Sequence, residues 1–126
     1  MDTTVLVDNQ YEEGKKLIQK LDEQGTKYPI ALWINLPEKN SWTLLFGVPN
    51  LNSTGAKEIF KTFHNVILRN NIDLSLNDIT LVDPSSDLCK SLRTMLKTGF
   101  GLSKVSFFGN FINGQRFPDS IIYRVN

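Results

Sequence analysis

Two short apolar segments, joined by five polar or turn-forming residues, constrain the fold of this chain more than any other feature. They read PIALWINL at 29–36 and WTLLFGV at 42–48. Two strand-like segments joined by a connection of this length predict a β-hairpin. Because both strands carry apolar side chains on both faces for much of their length, we expect them to be central strands of a sheet or to be covered on both sides.

Segments with helical periodicity flank this hairpin. The first helix is expected over about residues 10–24, where apolar residues recur at helical spacing. Asn9 and Glu12 have the spacing of a capping pair at its start, and Gly25 is placed to end it in a left-handed conformation. The inner face of this helix consists of Tyr11, Gly14, Leu17, Ile18 and Leu21.

A second helix is expected over about residues 53–69, and a strand follows over 78–82. When the residues are placed at about 100° each, five apolar side chains share one face of this helix. Asn70 and Asn71 come directly after it and can end it. The five apolar residues are Ala56, Ile59, Phe60, Phe63 and Ile67.

Asp83 and Pro84 predict the start of a third helix, because an N-cap aspartate followed by proline at the first helical position is favoured. This helix is expected to reach about Thr98, with Leu88, Leu92, Met95 and Leu96 on its inner side. Residues 104–125 are rich in aromatic and β-branched side chains, which favour strands. Within them, Asn113-Gly114 predicts a type I′ hairpin turn.

The resulting order is α-β-β-α-β-α-β-β, which predicts an α+β fold with a mostly antiparallel sheet packed against three helices. A parallel strand pair in the middle of the chain stays open, because helices lie between the strands there. At 126 residues, of which 40% are hydrophobic, we expect residues 1–126 to form one globular domain. The order of the strands within the sheet does not follow from the sequence.

Several classes of protein are excluded by composition. The sequence has one cysteine and one histidine, which leaves no disulfide framework and argues against a zinc site. No apolar run is long enough to span a membrane, and the first residues do not resemble a signal peptide. We therefore expect a cytoplasmic protein with no metal, no cofactor and no membrane partner.

His64 and Cys89 are the candidate catalytic residues, as a general base and a nucleophile. His64 falls at the border of the apolar face of the second helix, where a half-buried packing role is favoured. Cys89 lies beside the apolar face of the third helix, where a small buried thiol is the commoner role. The sequence therefore favours a protein that is not an enzyme, with a small hydrolase or nuclease as an alternative.

The distribution of charge is uneven along the chain. Residues 1–88 hold 8 basic and 12 acidic side chains, whereas residues 89–126 hold 6 basic and one acidic. Lys90, Arg93 and Lys97 are expected on the outer face of the third helix. This face is either a solvated surface or a basic patch for nucleic acid or an acidic protein.

Aromatic residues in the last strands form a second candidate surface. Phe107 and Phe108 are adjacent, so on a strand they point to opposite faces. One face belongs to the core, and the other must be covered by a helix, a partner subunit or stacked bases. The candidate binding residues are Lys90, Arg93, Lys97, Lys104, Arg116, Phe107 and Phe111.

Three segments together resemble a group of small uncharacterised bacterial proteins of similar length. They are ALWINLPE at 31–38, LSLNDITLVDP at 74–84 and GNFINGQRFPDSIIYRV at 109–125. The resemblance covers nearly the whole chain and implies a bacterial, stand-alone cytoplasmic domain. No activity, substrate or catalytic residue follows from it.

These patterns predict a non-catalytic domain that self-associates, for example as a homodimer, or docks a protein partner. The alternative is a nucleic-acid-binding module that uses the basic residues with Phe107 or Phe111 stacking on bases. Binding by so few cations would be weak and sensitive to salt, because few counterions are released.

Overall fold

The computed structural model describes residue 6 and residues 8–38, 41–112 and 114–126. The order of elements confirms the predicted sequence of helices and strands, with one short helix added and the tail divided into four strands. The helices are α1 (Asp8–Glu23), α2 (Leu51–Thr54), α3 (Ala56–Arg69) and α4 (Asp87–Met95). The strands are β1 (Ile30–Leu36), β2 (Ser41–Gly47), β3 (Ile79–Val82), β4 (Val105–Phe107), β5 (Phe111–Ile112), β6 (Gln115–Arg116) and β7 (Ser120–Val125).

The main sheet has five strands in the order β3-β2-β1-β7-β4. Strand β1 pairs antiparallel with both β2 and β7, and β4 pairs antiparallel with β7. Strand β3 pairs with β2 in parallel, because α2 and α3 carry the chain back between them. The sheet is therefore mostly antiparallel, as predicted, with one parallel pair at its edge.

Each face of the sheet is covered by its own hydrophobic cluster. Ala31 and Trp33 of β1 belong to a first cluster with apolar residues of α1 and α3. Leu32 and Ile34 belong to a second cluster with Leu92 of α4 and residues of the tail. We call these the α1 face and the α4 face. The prediction that the first two strands are covered on both sides is confirmed.

Helix α1 ends as predicted but begins earlier. Gly25 has a φ of 85°, its N–H donates to the Asp22 carbonyl, and the N–H of Thr26 donates to the Leu21 carbonyl. This is the bonding pattern of a glycine-terminated helix. The predicted capping pair is wrong, because Asn9 lies inside the helix and its side-chain amide donates to Asp73 at 3.4 Å.

The predicted helix over 53–69 is divided into α2 and α3 at Gly55, whose φ is 90°. Ala56 therefore stands at the start of α3 and is exposed, so its predicted place on the apolar face is wrong. Asn71, with a φ of 50°, ends α3 as the N–H of Ile72 donates to the Ile67 carbonyl. The buried residues of α3 are Ile59, Phe63, Val66 and Ile67.

Helix α4 is shorter than the predicted third helix at both ends. Ser86 caps it, because its hydroxyl accepts a hydrogen bond from the N–H of Cys89. Asp83 is not the cap. Its carboxylate accepts instead from the backbone N–H of Ser85 at 2.8 Å and from the hydroxyl of Ser85 at 2.6 Å. The helix ends at Met95, so Lys97 lies beyond it.

A β-bulge in β7 directs two consecutive large side chains to the α1 face. Ala31 lies opposite Arg124 and Leu32 opposite Ile122, so Tyr123 is the extra residue. Tyr123 accepts a hydrogen bond from the Trp33 indole N–H at 2.9 Å and donates to the Tyr11 carbonyl at 2.6 Å.

The guanidinium of Arg124, only 1% exposed, binds the two carboxylate oxygens of Asp22 in α1 at 3.2 and 2.5 Å. It also donates to the Tyr28 carbonyl at 3.0 Å. The bulge thus ties β7 to α1 through a tyrosine and a buried ion pair.

Strands β5 and β6 form a small hairpin, with Phe111 opposite Arg116 and Ile112 opposite Gln115. This pairing matches a two-residue turn, and Gly114 has the expected positive φ of 79°. Asn113, the other predicted turn residue, lies outside the described residues, as does part of the β1–β2 turn. In the described part of the chain, no helix has the length and apolar character needed to cross a membrane.

Candidate interaction surface

His64 and Cys89 lie on elements that pack against opposite faces of the sheet. His64 is exposed on α3, which covers the α1 face, so its predicted half-buried packing role is wrong. Cys89 is fully buried on the α4 face, and burial raises the pKa of its thiol. A thiol in this state is a poor nucleophile at neutral pH. The structure does not bring the two candidate catalytic residues together.

Arg93 is not a free cation on the outer face of α4. It is half-buried, and its guanidinium donates to the Pro84 carbonyl at 2.6 Å and to the Asn126 carbonyl at 3.2 Å. These bonds fasten the turn that precedes α4 to the segment that follows β7. The prediction that Arg93 faces outward with Lys90 and Lys97 is therefore wrong, although Lys90 and Lys97 are exposed.

The remaining candidate cations are divided between the two faces. The Nζ atom of Lys104 lies 4.5 Å from the centre of the Tyr11 ring, which places it beside α1. Lys90 belongs to α4, on the other side of the sheet. Arg116, on the β5–β6 hairpin, forms an ion pair with Asp119 at 3.0 Å. The structure therefore does not gather the predicted basic residues on one surface.

The adjacent phenylalanines at the end of β4 point to opposite faces, as predicted. Phe107 is half-buried against the α4 face. Phe108 lies edge-on to the ring of Trp42, which belongs to the α1 face, with the ring centres 6.3 Å apart. Phe108 is nevertheless 51% exposed, and Phe111 in β5 is 68% exposed.

Strand β4 lies at the margin of the sheet, and the exposed Phe108 and Phe111 follow it in the chain. It pairs with β7 on one side, and in the described residues no strand pairs with its other side. We call β4 together with Phe108 and Phe111 the aromatic edge. Sequence reasoning listed Phe107 and Phe111 for this surface but omitted Phe108. The two consecutive phenylalanines were the signal that could have identified it. On a strand, adjacent side chains point to opposite faces of the sheet, so Phe107 and Phe108 cannot both pack on the same face.

Among the described residues, one cleft of about 470 Å³ is lined by Pro29, Pro49, Asn50, Asp83, Pro84, Ser85 and Arg93. Within it, Arg93 bonds the Pro84 carbonyl, and the hydrogen bonds from the hydroxyl and the N–H of Ser85 lower the pKa of Asp83. A second cleft, of about 300 Å³, lies between residues of α4 and the β5–β6 hairpin.

No protein-family model, curated protein or solved structure matches this chain. Its similarity to a group of small bacterial proteins therefore stays a prediction, and the function rests on the residues described above.

Proposed function

We propose that this protein is a non-catalytic interaction domain that self-associates or docks a protein partner through its aromatic edge. The observation that carries the proposal is the exposure of Phe108 and Phe111, at 51% and 68%, in the segment that directly follows the marginal strand β4. Aromatic side chains are enriched in the buried centres of protein interfaces. We also propose that the protein acts in the cytoplasm, the location expected from its composition.

The placement of the cations favours a protein partner over nucleic acid. Lys104 and Lys90 lie on different sides of the sheet, Arg93 is bonded to backbone carbonyls, and Arg116 is paired with Asp119. Affinity for a nucleic acid comes mainly from several cations that contact the phosphate backbone together. An aromatic surface without such a group of cations is better suited to apolar contacts with a protein.

Photo-crosslinking in cells tests the proposal whether the partner is another protein or a second copy. The photoreactive amino acid benzoylphenylalanine replaces Phe111, which preserves an aromatic ring at that position. The same amino acid at Leu68 of α3, which is 62% exposed, is the matched control. We expect discrete protein adducts from position 111 and few from position 68, separated on denaturing gels.

Adducts at position 111 that are no stronger than those at position 68 would contradict the proposal. Mass spectrometry of the adducts identifies the crosslinked chain. Crosslinks to nucleic acid alone would support the alternative function instead.

A further inference from the structure

We propose that the aromatic edge binds a second copy of this chain, and that the two copies join through antiparallel β4 strands with a two-fold axis at Ser106. The inference rests on the proposed interaction function and names its partner. The joined strands would merge two five-stranded sheets into one continuous sheet. Three features of β4 carry it: the direction of its backbone groups, the residues that face each other across the axis, and the contrast with β3.

The backbone groups of Ser106 point away from its own sheet. The N–H of Asn35 donates to the Asp119 carbonyl, so in the part of β7 that precedes the bulge at Tyr123, Asp119 and Ile121 direct their backbone groups toward β1. Ser120 and Ile122 therefore point toward β4, where they lie opposite Phe107 and Val105.

Val105 and Phe107 use their backbone groups to bond β7. The N–H of Ser103 donates to the Tyr123 carbonyl, and the N–H of Gly109 donates to the Asp119 carboxylate, in the same alternation. Ser106, between Val105 and Phe107, then directs its N–H and C=O outward, and the residue is exposed. An exposed strand margin of this kind can pair with another strand.

The sequence of β4 and its neighbours is complementary to itself when it runs antiparallel. With Ser106 opposite Ser106 of the second copy, Val105 lies opposite Phe107 and Lys104 lies opposite Phe108. A β-branched residue opposite an aromatic one stabilises an antiparallel pair. A lysine opposite an exposed phenylalanine adds a cation–π contact. Two-fold symmetry forms each of these contacts twice.

The pairs also match the faces on which these side chains lie. Val105 and Phe107 pack against the α4 face, so their cross-strand contacts extend that hydrophobic cluster. Lys104 and Phe108 lie on the α1 face, beside Tyr11 and Trp42 respectively. The pairing therefore covers the exposed Phe108 and places only the small Ser106 side chains at the axis.

Strand β3, at the opposite margin of the sheet, is unsuited to the same association. Acidic side chains flank it on both sides, with Asp78 before Ile79 and Asp83 after Val82. Antiparallel pairing of two such strands brings carboxylates of the two copies near each other at both ends. Like charges at a strand margin oppose pairing, so β4 is the margin that joins the copies.

Sedimentation velocity over a range of protein concentrations tests the inference. At high concentration, we expect the sedimentation coefficient of the wild-type chain to correspond to a dimer, with twice the 14.3 kDa mass of one chain. Ser106→Lys places two ammonium groups opposite each other at the axis, and we expect it to remain monomeric. Ser106→Pro removes the outward N–H and should also leave the chain monomeric. The fold itself should survive, because proline is tolerated on a strand margin. The matched control is Ser53→Lys, at an exposed position of α2, which should leave the dimer intact.

Ser106→Cys provides a second test of the register. Hydrogen-bonded antiparallel partners have Cα atoms about 5.5 Å apart, within disulfide range. We expect rapid formation of a disulfide-linked dimer under mild oxidation, whereas Ser53→Cys should form no disulfide-linked dimer. Circular dichroism checks that each variant is folded.

A monomeric wild-type chain at its highest soluble concentration would overturn the inference. A dimer that persists in both Ser106→Lys and Ser106→Pro would also overturn it. These failures are distinguishable from failure of the proposed function. Crosslinks from position 111 to a different protein, with the chain monomeric, would keep the interaction function and reject the second copy as its partner.

Discussion

At Gly14, helix α1 approaches the sheet too closely to accept a side chain. A β-carbon there would lie 2.5 Å from the hydroxyl oxygen of Tyr123 and 2.8 Å from the indole nitrogen of Trp33. These two atoms form the buried hydrogen bond that links β1 to β7, and both side chains are fully buried. Glycine at this position therefore sets the distance between α1 and the sheet.

We expect Gly14→Ala to destabilise the protein, although alanine is favoured over glycine in helices by about 1 kcal/mol. Overpacking a well-filled core costs about 1–3 kcal/mol, and here the clash also displaces a buried hydrogen bond. Urea denaturation measures the change. The control is Gly101→Ala, where no atom lies within 4 Å of the added carbon. A Gly14→Ala variant as stable as the Gly101→Ala variant would contradict this account of the packing.

The buried pair of Arg124 and Asp22 shows why single residues were harder to place from sequence than whole elements. An arginine near the end of a strand is normally a solvated cation, and in the sequence Arg124 stands out only as one of the six basic residues of 89–126. The β-bulge turns Arg124 toward α1, where the Asp22 carboxylate and the Tyr28 carbonyl bind it. A bulge leaves no composition signal, so this contact could not be derived in advance.

At the scale of elements, the start of α4 depends on Ser86. Its hydroxyl accepts from the N–H of Cys89, which would otherwise be unbonded in the first turn of the helix. We expect Ser86→Ala to lower the free energy of unfolding by about 1 kcal/mol. Ser86→Asn keeps a capping oxygen and should remain close to wild type. Thermal or urea denaturation of both variants checks this, and equal losses in the two would exclude capping as the cause.

Most elements were predictable because their periodicity is strong. The continuous apolar runs of β1 and β2 and the apolar stripes of α1 and α3 follow from the burial of these elements in the core, which the sequence records directly. The ends of the elements were less predictable, because several residues compete for the same role. Asp83 and Ser86 can both cap a helix, and Pro84 favoured the earlier start. The structure uses Asp83 for a turn and Ser86 for the cap.

The candidate surface was predictable in part. The sequence identified the aromatic tail, because consecutive phenylalanines on a strand cannot both enter one core. It could not show that Arg93 bonds the carbonyls of Pro84 and Asn126, since that contact joins residues far apart in the chain. The strand order was also inaccessible, and it alone decides that β4 lies at a margin.

At the scale of the whole molecule, the protein has three layers: α1 and α3, the sheet, and α4 on its other side. The hydrophobic clusters between these layers both contribute to the free energy of unfolding. Leu92 is fully buried between α4 and the sheet. We expect Leu92→Ala to cost about 2–5 kcal/mol, because it leaves a cavity in that layer. Leu68→Ala, at an exposed position of α3, should change stability by no more than about 0.5 kcal/mol. Urea denaturation compares the two, and similar small losses would show that α4 contributes little to the core.

The interior position of β7 has a consequence for synthesis on the ribosome. Strand β1 is complete at Leu36, but its neighbour β7 begins only at Ser120. At about 5–20 residues per second, translation leaves one side of β1 without its partner for on the order of ten seconds. The nascent chain therefore carries an apolar, incomplete sheet throughout that interval, and this is when we expect protection by chaperones to matter most.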